Sequence, residues 1–304
     1  MIARNAALFA VLLLCLCAQA QQKLSGQRAY TFTKQFVEGS GPRWLGSPGH
    51  TKAENILRKH FAPEKAKGHF GEDAFTVNTS LGTFVMRNFI AKYPGKKDGI
   101  IVIATHYETN IWLRDTGFVG ANDGGATTGL LMELGTYLRT HPPQGYSIWL
   151  LFDDGEESMQ RQWNDNEALY GTRHAAARWS ADGTLNKIKA FIVTDMIGDK
   201  DLNLNLDDNS TPWLRDILRQ AAKNTGHSGS VFKRPIAVVD DHIPFKERGV
   251  PVLDMIDLDY GQPSFSHPEG WHHTPQDTMD KVSAHSLQIS ADLLLETIHL
   301  IDKR

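Results

Sequence analysis

The chain has 304 residues, 32 basic and 35 acidic side chains, and a formal net charge of −3. That balance argues against nucleic-acid or anionic-membrane partners, which require a clustered basic excess. A hydrophobic content of 41% is enough for one sizeable core and excludes a disordered chain. At the start, Arg4 gives a short positive region, Ala6 to Leu16 an apolar run, and Ala18-Gln19-Ala20 a small-x-small cleavage site. This is the layout of a secretory signal peptide over residues 1–20, with an uncleaved N-terminal anchor as the alternative. A secreted or periplasmic protein, free of the membrane after cleavage, is therefore expected. Both cysteines, Cys15 and Cys17, lie inside that segment, so any metal site in the mature chain must be built from His, Asp and Glu.

The remainder, 21–304, has no repeat, low-complexity tract or long linker and reads as a single domain. Phe84 to Tyr93 and Ile100 to Thr105 read as strands. A helix follows from about Gly125 to Arg139, with Leu130, Leu131, Leu134 and Leu138 on one face. Tyr146 to Phe152 and Ile188 to Thr194 are further apolar strands. Thr211-Pro212 opens a helix in cap-then-proline order, Gly249 to Ile256 is a strand, and Ser283 to Leu300 a terminal helix. The alternation predicts an α/β, three-layer sandwich around a mixed, mostly parallel sheet.

In such sheets function lies beyond the carboxyl ends of strands. Ile100–Thr105 runs into His106, Tyr146–Phe152 into Asp153-Asp154-Gly155-Glu156-Glu157, and Ile188–Thr194 into Asp195. After Gly155, a turn lets Glu156 and Glu157 approach one point, so that one ligates a metal while the other moves a proton. An acidic turn before the next helix is the alternative. Asp123, in Gly120-Ala121-Asn122-Asp123-Gly124-Gly125, is a short carboxylate in a glycine-rich turn, or a plain helix cap. Thr274-Pro275-Gln276-Asp277 reads as a capping box, which leaves His272 and His273 before it unexplained. Asp240-Asp241-His242 reads as a polar loop or solvated turn, and Trp163 as a substrate-facing wall or a loop anchor.

Taken together and in order, His106-Tyr107-Glu108, Gly120-Ala121-Asn122-Asp123, Asp154-Gly155-Glu156-Glu157, Asp195-Met196-Ile197-Gly198 and His273-Thr274-Pro275-Gln276-Asp277-Thr278 resemble the zinc exopeptidase superfamily. That group holds both the co-catalytic zinc aminopeptidases and the animal-type glutaminyl cyclases. The resemblance implies zinc held by Asp123, Glu157 and His273, with a possible second site at His106 and Asp195, and Glu156 as the proton carrier. Asp240-Asp241-His242-Ile243-Pro244-Phe245 and the Trp163 segment look cyclase-like. On that side, the resemblance implies that Asp240 hydrogen-bonds with Glu156 and Asp195, and that Trp163 and Trp271 wall the substrate pocket. Three features depart from the cyclases: His272 intervenes between Trp271 and the ligand His273, Gly124-Gly125-Ala126 is aminopeptidase-like, and the cyclase disulfide is absent. The implied activity is glutaminyl-peptide cyclotransferase, one zinc per chain, acting as a monomer on peptide or protein N-termini. The alternative is a two-zinc aminopeptidase.

Overall fold

The computed structural model describes residues 23–265 and 270–304; the expected signal peptide at 1–20 lies outside the described residues. The chain enters through α1 (Gly26–Ser40) and α2 (Pro48–His60), capped by the hydroxyls of Ser25 and Ser47. A short α3 (Ala62–Ala66) leads into the hairpin of β1 (Phe70–Thr79) and β2 (Gly82–Tyr93), then into β3 (Lys97–His106). The next elements are α4 (Thr127–Thr140), β4 (Tyr146–Asp153), α5 (Tyr170–Ala181) and β5 (Ile188–Asp195). After these come β6 (Leu204–Asp207), α6 (Pro212–Thr225), β7 (Val231–Ile236), α7 (Ile243–Lys246), β8 (Val252–Ile256) and α8 (Ala284–Asp302).

The six-stranded sheet has the order β1-β2-β4-β3-β5-β8. The β4–β3, β3–β5 and β5–β8 pairs are parallel, and the hairpin adds an antiparallel edge. Strand β3 shows how the layers arise, because successive side chains leave a strand on opposite faces. Ile101 and Ile103 join the core that holds Leu130 and Leu134 of α4 and Leu294 of α8. Ile100, Val102 and Ala104 join the other, against Ala176 and Trp179 of α5 and Phe245 of α7. The expected three-layer sandwich is what forms.

Two local expectations change. Thr211 does precede α6, but its hydroxyl accepts from the Val252 amide at 2.9 Å, tying that helix to β8 instead of capping it. Residues Thr274 to Asp277 form turns, not a helix start. Among the described residues no helix is long and apolar enough to cross a membrane.

Candidate metal centre and its cavity

The parallel register sets His106 beside Asp153 and Asp195 beside Ile256, so the strand ends meet along one sheet edge. After β4, Gly155 turns at φ +77°, and both Glu156 and Glu157 reach the same cavity. Asp123 sits at φ −75°, ψ 106° inside a kinked turn, followed by Gly124 at φ +68°. A Cβ on Gly124 would lie 2.8 Å from His106 Cε1, so only glycine lets that turn close on the histidine.

Two residues from distant parts of the sequence hold the turn. The Asp277 carboxylate accepts from the backbone amides of Asn122 (2.8 Å) and Asp123 (3.1 Å). Fully buried Arg43 donates to the carbonyls of Gly120 (2.8 Å) and Asp123 (3.0 Å). Burial lowers the Arg43 guanidinium to about 10, against the pull of Asp123 and Asp277. It remains a cation at neutral pH.

Asp123 faces two histidines. Its Oδ1 lies 3.1 Å from His106 Nε2, and its Oδ2 lies 3.5 Å from His273 Nε2. On one side, His273 Nε2 is 3.2 Å from Glu157 Oε2. On the other, His106 Nε2 is 3.3 Å from Asp195 Oδ1. Tetrahedral zinc with bonds of about 2.0–2.1 Å keeps its ligand atoms roughly 3.3 Å apart. These four histidine–carboxylate spacings lie close to that figure on both sides of Asp123. Asp123 Oδ2 and Glu157 Oε1 are buried without a hydrogen-bond partner among the described residues, the state a missing cation would explain. A donor set of carboxylate oxygens and imidazole nitrogens, with no thiolate, suits zinc.

Asn110 Nδ2 donates to Glu157 Oε2 at 2.6 Å, and the Glu157 amide donates to Glu108 Oε1 at 3.2 Å. The first orients that carboxylate, and the second fixes the backbone that carries it. His273 itself holds φ +51°, an uncommon conformation for a non-glycine residue, and packs edge-on against Trp112.

The electrostatics separate the carboxyls. Burial, and then the adjacent Glu157 charge, push Glu156 well above the usual carboxylate range. Burial and then Asp195 do the same to Asp240. Burial would raise Asp123 too, but the His106 hydrogen bond holds it below its ordinary value. The site therefore pairs a metal-competent carboxylate with neighbours that hold a proton more tightly than an ordinary carboxyl does.

These groups line a cavity of about 290 Å³ whose other walls are apolar, including Met196, Ile256 and Leu258. Trp163 stands at its mouth, 38% exposed, with the indole N–H donating to Asp165 at 2.7 Å. It is both wall and anchored loop residue. Trp271 is not among the described residues lining the cavity; its ring packs edge-on against Tyr260, and His272 takes the wall position. Trp271 packs instead, partly buried, against the small cluster of Met196, Ile256 and Tyr260.

Asp240-Asp241-His242 is buried, not a solvated turn, because α7 and α5 cover it; Thr172 of α5 donates to Asp241 at 2.6 Å. The implied hydrogen bonds from Asp240 to Glu156 and Asp195 are not formed. Its Oδ1 accepts from the Asp241 amide, and Oδ2 has no partner among the described residues. Sequence reasoning missed Asn110 and the turn-holding roles of Arg43 and Asp277, although Arg43 and Asp277 stand in conspicuous motifs, Gly41-Pro42-Arg43 and Thr274-Pro275-Gln276-Asp277.

Comparison with known proteins places the chain. The profile of Peptidase family M28 matches residues 88–298. The chain belongs to Peptidase family M28. This zinc-dependent family accounts for the two-sided carboxylate and histidine arrangement. The M28 chain is 63% identical to a crystallised Acidobacteriales bacterium glutaminyl cyclase, covering 94% of this chain and 99% of that one, with a TM-score of 0.92. It is 26% identical to Porphyromonas gingivalis glutaminyl cyclase, covering 92% and 99%, with a TM-score of 0.77. A Bos taurus glutaminyl-peptide cyclotransferase-like protein is 28% identical over 258 residues, which are 76% of this chain but 64% of that protein. The chain thus spans slightly under two thirds of the length of the first curated relatives it matches.

Proposed function

We propose that this protein is a glutaminyl-peptide cyclotransferase, converting an N-terminal glutamine to pyroglutamate with release of ammonia. The ligand set is common to cyclases and aminopeptidases. The choice of reaction is therefore carried by the near full-length, 63% identity to a glutaminyl cyclase. Asp123, Glu157 and His273 hold one zinc in this reading. Zinc bound there supplies Lewis acidity toward a carbonyl oxygen, here that of the glutamine side-chain amide.

The chain's own groups move the proton. The substrate α-amine attacks the side-chain carbonyl carbon, forming the ring C–N bond. Glu156 accepts a proton from that amine and delivers it to the departing nitrogen, so the C–NH₂ bond breaks and ammonia leaves. To accept that proton Glu156 must first be ionised, which a cation offsetting the Glu157 charge beside it would favour; burial then suits it to hold the proton until the nitrogen departs. Asp240, also buried and poised to hold a proton, steadies the charge around Glu156, while Trp163 walls off the bound glutamine.

A two-zinc aminopeptidase is the second reading, favoured by the completeness of the His106 and Asp195 half-site. Incubation with Gln-peptides and with aminoacyl reporters, with zinc counted per chain, separates the two. Ammonia release with one zinc supports the cyclase; reporter hydrolysis with two zincs and no cyclisation rejects it. The protein acts after export, in line with the character of residues 1–20, and as a monomer on peptide N-termini. Size-exclusion of secreted material and N-terminal mass spectrometry test those two statements.

A further inference from the structure

Beside the metal-lined cavity lies a second one of about 690 Å³, and the two share Val238, Leu258 and His272 as walls. Its size falls in the range of sites that hold a ligand of several residues' bulk, about 300–1,000 Å³. We propose that this second cavity receives the peptide chain that follows the N-terminal residue, and that it selects apolar side chains at the second and third positions. The proposal rests on the cyclase reading only for the identity of that first residue.

Continuity is the first argument. An N-terminal side chain seated among Glu156, Glu157 and Trp163 must send its own chain out of the first cavity, and the second is its immediate neighbour, since Val238, Leu258 and His272 line both. Val238 follows β7, which pairs with β6 in a separate two-stranded sheet, and Leu258 follows β8 at the edge of the main sheet, so the shared wall is built from segments leaving both sheets.

Selectivity follows from the chemistry of the lining. Val238, Leu258 and Pro263 give it apolar surface. Its two charged members, Arg234 and Asp259, neutralise each other, with Arg234 Nε 2.8 Å from Asp259 Oδ1. Asp259 Oδ2 is also occupied, accepting from the side-chain amides of Asn203 and Asn205, each at 2.9 Å. Among the described lining residues no unpaired carboxylate is left to recruit a basic residue, and the guanidinium is already matched. Burying apolar side chains is what such a groove rewards, at about 25 cal/mol per Å² removed from water.

The test measures binding separately from chemistry. Gln-amide, Gln-Leu-Phe-Ala-amide and Gln-Asp-Asp-Ala-amide are titrated calorimetrically into the zinc-loaded Glu156→Gln protein, while ammonia release is followed with the wild type. The Leu-Phe peptide is expected to bind at least tenfold tighter than either of the others. Gln262 lines only the second cavity and is exposed, so Gln262→Trp adds bulk at the groove without touching the core. It is expected to reduce that preference below threefold. Equal affinities for the Leu-Phe peptide and Gln-amide, or a preference unchanged by Gln262→Trp, would overturn the groove. A binding preference that persists with no ammonia from any peptide keeps the groove and rejects the cyclase reading instead.

Discussion

Glu156 and Glu157 are neighbours in sequence with opposite surroundings. Glu157 is pinned by Asn110 Nδ2 at 2.6 Å and lies 3.2 Å from His273 Nε2, whereas burial and the Glu157 charge bias Glu156 toward its protonated form. Their isosteric variants should therefore fail differently. Glu156→Gln is expected to lower kcat by about 10²–10⁴-fold, the usual weight of a positioned proton carrier, while zinc content stays at the wild-type value. Glu157→Gln should lose the metal itself. Zinc measured by atomic absorption beside ammonia release distinguishes them; loss of zinc from Glu156→Gln would mean the two roles are reversed. Asn110→Ala leaves the ligands intact but frees the Glu157 carboxylate to rotate. A 10–100-fold weaker zinc affinity is expected, the customary effect of removing a group that orients a ligand, and competition with a chromogenic chelator reads it directly.

At the scale of elements, the Asp123 turn shows what local sequence carries and what it does not. The strand ends at His106 and Asp195, and the Gly155 turn, could be read from apolar runs followed by acidic or histidine residues, because strand period and sheet-edge position are local properties. That Asp277 clamps the amides of Asn122 and Asp123 could not, since 154 residues separate Asp277 from Asp123 along the chain. Its local pattern pointed instead to a helix cap. Asp240-Asp241-His242 misled for the same reason: polarity suggests solvent until the packing of α5 and α7 is known. A second element-scale feature links pH to stability. His60, at the end of α2, directs Nε2 toward the Met132 carbonyl of α4 at 2.9 Å, and burial, with Arg139 nearby, lowers it to about 4. The unfolded chain takes up this proton near the ordinary histidine value of about 6.5, whereas the folded protein resists it until about 4. The folded state thus loses stability as pH falls through that window and gains nothing from His60 above it. The loss is on the order of 3 kcal/mol by the lower end. Urea unfolding at pH 7.5 and 4.5 should show a smaller pH difference in His60→Gln than in wild type; equal differences would remove His60 as the cause.

Across the whole molecule, the sheet collects far more buried acid than buried base at one edge. Asp123, Asp153, Glu156, Glu157, Asp240, Asp241 and Asp254 are all buried, and Asp153 and Asp254 have no hydrogen-bond partner for either carboxylate oxygen among the described residues. Both cysteines fall at positions 15 and 17, so no disulfide compensates in the described fold. A cation at Asp123, Glu157 and His273 would relieve part of this repulsion, and because it binds the folded site and not the open chain, its binding energy adds to folding stability. At a free zinc concentration 1,000-fold above Kd the gain is about 4 kcal/mol. For a domain of this size each kcal/mol moves Tm by roughly 2–4 °C, so chelation is expected to lower Tm by on the order of 10 °C, reversibly on adding zinc back. Asp123→Asn should show a lower Tm than wild type in zinc and little further change on chelation, because its stabilising ligand is already gone. A wild-type Tm indifferent to chelator would mean that the buried acids are relieved by protons alone, and that the metal contributes to chemistry without holding the fold.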